Sequence, residues 1–102
     1  MKKRIGILGS TGSIGTSALE VIRNLQKNGF DCEVVFLSCN NNIDKFRAQI
    51  NEFNPLTVIL HNESKLQELK DSGISPEIEI LTGFDTLNEL VSRDNYDILI
   101  NS

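Results

Sequence analysis

The sequence predicts an α/β fold: a Rossmann-like, doubly wound parallel sheet of about five strands with helices on both faces. Three observations carry that expectation. Short apolar runs alternate with helical patterns from one end of the chain to the other. The runs are nearly all apolar rather than alternating, as in strands covered on both faces. A glycine-rich turn joins the first run to the first helical pattern. Right-handed crossovers between such strands then give a parallel sheet.

The first strand is Arg4-Ile5-Gly6-Ile7-Leu8, and the turn Gly9-Ser10-Thr11-Gly12-Ser13 follows it. The next helix places Ile14, Ala18, Leu19, Val21, Ile22 and Leu25 on one broad face, with Ser13 as N-cap and Gly29 as its stop. Glu33–Cys39 forms the second strand. Asn40-Asn41-Asn42 makes a turn, and Asn42 or Asn40 caps a helix carrying Ile43, Phe46, Ile50 and Phe53. Pro55 ends that helix. Thr57–Leu60 is the third strand. Ser64–Ser72 is a short helix with Leu66 and Leu69 inward, stopped by Gly73 and Pro76. Ile78–Leu81 is the fourth strand, Thr86–Arg93 a helix, and Asp97–Asn101 the fifth strand.

Composition narrows the function. At 102 residues the chain has the size of one domain, spanning residues 1–102. Hydrophobic residues make up 39% and charged residues 24%, which disfavours disorder. A net charge of −4 argues against a nucleic-acid partner. No apolar run approaches the roughly 20 residues that cross a bilayer, so no membrane partner is expected. The basic start, Met1-Lys2-Lys3-Arg4, precedes an apolar run too short for a signal peptide, which predicts a cytoplasmic location. Cys32 and Cys39 do not make a secreted-type disulfide framework and lack metal-site spacing. The chain stops at the carboxyl end of an apolar strand, where open α/β sheets bind ligands. We therefore expect an N-terminal fragment of a longer enzyme, the alternative being a complete small binding domain.

The loop Gly9-Ser10-Thr11-Gly12-Ser13-Ile14-Gly15 is the candidate cofactor site. Gly9 lets the chain leave the strand sharply. Gly12 removes a side chain where a pyrophosphate approaches the backbone. Gly15 lets the helix pack against the sheet. Free N–H groups at the helix start then face the phosphates, aided by the helix dipole. Ser10, Thr11 and Ser13 are expected to add hydroxyl donors. No Gly-Lys-Ser/Thr follows, so this is not a Walker A loop. At the tip of the second strand, a carboxylate would bind the ribose of NAD. Here the tip reads Ser38-Cys39-Asn40-Asn41-Asn42. Neutral amides accept a 2′-phosphate without repulsion, with Lys45 or Arg47 as the source of positive charge. This points to NADP; the competing reading of the three asparagines is a polar turn and cap. His61 follows the third strand and reads as a surface loop residue.

At these residues the sequence resembles the N-terminal domain of the 1-deoxy-D-xylulose 5-phosphate reductoisomerases. The match runs through Ile7-Leu8-Gly9-Ser10-Thr11-Gly12-Ser13-Ile14-Gly15-Thr16 and Ser17–Arg23. It resumes at Val34-Val35-Phe36-Leu37, Asn42, Glu52-Phe53-Asn54-Pro55 and Leu81-Thr82-Gly83. The resemblance implies an NADPH-dependent oxidoreductase and isomerase of the non-mevalonate isoprenoid pathway. Such an enzyme converts 1-deoxy-D-xylulose 5-phosphate, a phosphorylated sugar, to 2-C-methyl-D-erythritol 4-phosphate. It uses Mg or Mn and is usually a homodimer. The resemblance places NADPH contacts on Thr11, Gly12, Ser13 and Ile14, and on Asn40, Asn41 and Asn42. Many members carry Gly-Lys-Asn where this chain has Asn40-Asn41-Asn42. The resemblance puts the metal and substrate ligands beyond residue 102, so this fragment holds no catalytic or metal residue and is expected to be inactive alone. Two other readings stay open. One is a fragment of a semialdehyde dehydrogenase, which shares a similar loop. The other is a stand-alone nucleotide-sensing module.

Overall fold

The computed structural model describes residues 2–83, 89, 92 and 96–101. The elements run β1 (Lys3–Leu8), α1 (Ser13–Lys27), β2 (Cys32–Cys39), α2 (Ile43–Phe53), β3 (Thr57–Leu60), a 3₁₀ turn (Glu63–Lys65), α3 (Leu66–Asp71), β4 (Glu79–Thr82) and β5 (Ile98–Asn101). The expected helix Thr86–Arg93 lies outside the described residues except for Glu89 and Ser92, both helical. The sheet has the order β4-β3-β2-β1-β5, and every pairing is parallel. The chain thus steps outward from β1 to β4 and returns to the other side of β1. The strand order reverses between β1 and β5, which is where ligands bind in this class of sheet.

The apolar strands bury two layers. On one face Ile5, Ile7, Val34, Leu37, Val58 and Leu60 meet Leu19 and Ile22 of α1, Phe46 and Ile50 of α2, and Leu69 of α3. On the other, Leu8, Val35, Phe36 and Ile59 form a second cluster with Leu81, Tyr96 and Leu99. Each fully buried aliphatic or Phe side chain contributes about 1.5–3 kcal/mol. Strict alternation would put Val35 and Phe36 on opposite faces. They share one because the register slips: Ile5 pairs with Val34, but Gly6 pairs with Phe36. The extra residue in β2 is a bulge, and it carries Leu37 and Cys39 back to the first face. Gly6 makes room for the Phe36 ring, since a Cβ there would lie 2.0 Å from its Cζ.

Two local expectations need correction. The N-cap of α1 is Gly12, not Ser13, and no side chain caps that end. Ser13 is already the first helical residue, so its hydroxyl sits too late to reach back as a cap. The apolar face of α1 is also narrower than the sequence suggests. Gly15, Leu19 and Ile22 are buried, whereas Ile14 and Val21 are 63% and 57% exposed. The buried positions fall at i, i+4 and i+7, with Ala18 half-buried beside them against the same core. Gly29 does end α1 with a positive φ of 87°. Asn42 caps α2 by accepting from the Lys45 amide, and Asn54 closes that helix in the left-handed region at φ 50°. Arg23 of α1 makes a two-pronged ion pair with Glu52 of α2 and lies 5.6 Å from the Phe53 ring centre. That pair ties the two helices together at the surface.

Candidate functional site

A cleft of about 470 Å³ opens at the carboxyl ends of the strands. Its walls come from four places. The glycine loop and the start of α1 give Gly9, Thr11, Gly12, Ser13 and Ile14; the tip of β2 gives Ser38, Cys39 and Asn40; His61 follows β3; and Asn101 ends β5. These segments meet because parallel strands all end on the same side of the sheet.

The loop takes its shape from backbone demands at its ends. Gly9 has a φ of 71°, which a side chain resists. At Gly15 a Cβ would lie 2.4 Å from the Gly9 carbonyl oxygen and 2.6 Å from the Ser10 Cα, so α1 rests directly on the loop backbone. Gly12 differs from both. Its φ is −74° and its ψ 175°, open to any residue. A Cβ there would meet only the Gly9 carbonyl oxygen, at an ordinary 3.5 Å. The fold has no need of glycine at this position, and the space a side chain would fill faces the cleft. The first-turn amides of Ser13 and Ile14 find no acceptor among the described residues. An open backbone beside free N–H groups at a helix start fits an anionic group such as a pyrophosphate.

Ser10 does not serve as expected. It is fully buried, its hydroxyl donates to Gln49 Oε1 at 2.8 Å, and it cannot offer that proton to a phosphate. The hydroxyl of Ser38 is likewise turned inward and accepts from the Gly9 amide at 2.8 Å. Of the residues expected to contact cofactor, Thr11, Gly12, Ser13, Ile14 and Asn40 are brought together around the cleft. Asn41 and Asn42 are not among its walls. Asn41 accepts from the Asn62 amide, and the Asn42 oxygen is engaged in capping α2. Neither Lys45 nor Arg47 lines the cleft.

His61 is half-buried in the cleft wall rather than on an open loop. Burial lowers its pKa from the ordinary 6.5, so the ring is neutral at physiological pH. Burial raises the Cys39 thiol above its usual range, against the opposing effect of Thr11 and the Asn42 backbone, so the sulfur stays protonated. The cleft therefore presents backbone amides, hydroxyls and neutral side chains. No group of three His, Cys, Asp or Glu side chains among the described residues is placed to hold a metal ion.

The family model of 1-deoxy-D-xylulose 5-phosphate reductoisomerase matches residues 5–102. The chain belongs to that family. A curated reductoisomerase of a Thermoanaerobacter species is 44% identical over 92 residues, which is 90% of this chain and 23% of the relative. One from Phocaeicola vulgatus is 39% identical over 102 residues, 100% of this chain and 26% of the relative. The chain thus spans about a quarter of the length of the reductoisomerases it matches. A crystal structure of the reductoisomerase in complex with magnesium superposes with a TM-score of 0.81 at 28% identity, covering 97% of this chain and 24% of that one. The Zymomonas mobilis reductoisomerase in complex with NADPH gives 0.75 at 29% identity, over 87% of this chain and 23% of that one. These two solved relatives therefore share the fold of this chain.

Proposed function

We propose that this chain is the NADPH-binding part of a 1-deoxy-D-xylulose 5-phosphate reductoisomerase, whose whole chain rearranges and reduces 1-deoxy-D-xylulose 5-phosphate to 2-C-methyl-D-erythritol 4-phosphate. The observation that carries the reading is the unneeded glycine at position 12, open over a cleft beside free helix-start amides. The solved Zymomonas mobilis relative is a complex with NADPH, which supports the same ligand here.

In this reading Gly12, Ser13 and Ile14 hold the pyrophosphate by backbone N–H groups and the dipole of α1. Thr11 adds a hydroxyl. Asn40, with Asn41 and Asn42 in the same turn, receives the adenosine ribose and its 2′-phosphate without a repelling carboxylate. When bound, the nicotinamide supplies the hydride; the residues of this chain bind and orient it. Neutral His61 borders the cleft without adding charge. Magnesium or manganese, in this reading, is held outside the described residues. A homodimer, from the family resemblance, and a cytoplasmic location, from the shortness of the first apolar run, are part of the proposal.

The test is a calorimetric titration of the full-length protein with NADPH and, separately, with NADH. We expect tighter binding of NADPH by about tenfold or more, the scale of one or two charge-assisted hydrogen bonds to a phosphate. Gly12→Val is expected to abolish binding while the fold persists, because its backbone angles and surroundings accept a side chain. Equal affinities would remove the 2′-phosphate from the reading. Absence of both would remove the cofactor.

A further inference from the structure

We propose that Gln49 is a positioning residue for the cofactor's pyrophosphate, acting through Ser10; this rests on the reading of the cleft as an NADPH site. Gln49 sits on α2, 39 residues from Ser10 in sequence, and is only 8% exposed. Its single amide grips Ser10 twice. Its Oε1 accepts from the Ser10 hydroxyl at 2.8 Å, and its Nε2 donates to the Ser10 carbonyl at 2.9 Å. Because the amide is planar, the two bonds fix the side chain and the backbone carbonyl of Ser10 together. From β2, Ser38 holds the other side. Its carbonyl accepts the Ser10 amide at 2.8 Å, and its hydroxyl accepts the Gly9 amide at 2.8 Å.

The inner half of the loop thus spends its polar groups on the protein, and the outer half keeps its amides for a ligand. The two halves are mechanically joined. The backbone of Gly9 and Ser10 is the surface on which Gly15, and so the first turn of α1, is seated. A shift of Ser10 moves Gly15 and carries the amides of Ser13 and Ile14 with it. Buried polar side chains are held only when satisfied, so this clamp has one geometry rather than several. A displacement of the amides by about 1 Å is enough to lose much of a phosphate contact.

The experiment compares NADPH dissociation constants and melting temperatures of full-length wild type, Gln49→Met, Ser10→Ala and Val58→Ala. Met keeps the length of Gln and removes both hydrogen bonds. Val58 is fully buried in β3 away from the cleft and serves as a stability control. We expect Gln49→Met to weaken NADPH by about tenfold or more, and Ser10→Ala by a smaller factor. Val58→Ala, at a comparable loss of melting temperature, is expected to stay within about twofold of wild type. Wild-type affinity in Gln49→Met overturns the positioning role, as does an equal loss in Val58→Ala. If Gln49→Met does not fold, the same comparison is made with Ser10→Ala. Failure of the wild type to bind NADPH overturns the reading of the cleft instead, and shows before any variant is compared.

Discussion

Gly6, Gly12 and Gly15 look alike in the sequence and answer to different neighbours. Gly15 faces backbone at clashing distance, Gly6 faces the buried Phe36 ring, and Gly12 would meet only the Gly9 carbonyl oxygen at ordinary contact. Phe36 has little freedom to give way, because it is fully buried and packs edge-on against Tyr96 with ring centres 5.4 Å apart. Gly6→Ala is therefore expected to cost about 1–3 kcal/mol by overpacking. Gly12→Ala is expected to stay within about 1 kcal/mol, the scale of a changed N-cap. Urea denaturation of both variants checks the contrast; equal stabilities would mean the Phe36 ring yields. The loop glycines at 9, 12 and 15 were legible because a phosphate turn is a local pattern. The Gly6–Phe36 and Ser10–Gln49 contacts were not, since they join positions brought together only by the sheet. One signal was present. Gln49 interrupts an apolar stripe of Ile43, Phe46, Ile50 and Phe53 on α2, and a polar residue on a buried stripe needs a buried partner.

At the scale of the elements, strand bounds are more legible in the sequence than helix ends. Thr57–Leu60 is found as expected, and β2 begins one residue earlier, at Cys32. Apolar runs bounded by turn residues mark strands because a parallel sheet is buried on both sides. The bulge in β2 left no mark, as both residues it places on one face are apolar. Helix caps depend on geometry at single residues, and the pattern that favours Ser13 does not distinguish it from Gly12, which holds the cap position of α1. For α2 the sequence leaves Asn42 or Asn40 as the cap, and the structure selects Asn42, whose oxygen accepts from the Lys45 amide at 3.3 Å. Asn42→Ala is expected to cost about 1 kcal/mol by leaving that amide unsatisfied. Asn42→Asp is expected to keep the cap and gain from the helix dipole. Thermal melts of the two variants check this: Asn42→Ala melting as high as wild type would show that the cap contributes little.

For the whole molecule, the directions of the shifted groups define a stability window in pH. His61 has its pKa lowered from 6.5 by burial. Glu52 is held below its ordinary 4.5 chiefly by the hydrogen bond from Arg23, and Asp97 below 3.8 chiefly by the Arg4 backbone amide. In each case the unfolded chain binds the proton more readily than the folded one. As pH falls, protons favour the unfolded state, so stability present above these values is lost below them. The loss begins at His61, below pH 6.5, and steepens once the carboxylates titrate below 4.5. On the alkaline side the half-buried Cys32 thiol and the buried Cys39 thiol are raised from 9.0, chiefly by desolvation. There the unfolded chain releases protons first, and stability falls as pH rises past 9.0. Melting temperature is thus expected to be level between about pH 7 and 9 and to decline on both sides. The acid shoulder is assigned to His61, so His61→Asn should remove the decline between pH 6.5 and 4.5 and keep the steeper fall below it. A shoulder unchanged in that variant would place the titrating group elsewhere. Because neutral His61 lines the cleft, NADPH affinity should also be level across the same plateau, so that binding and folding share one working range.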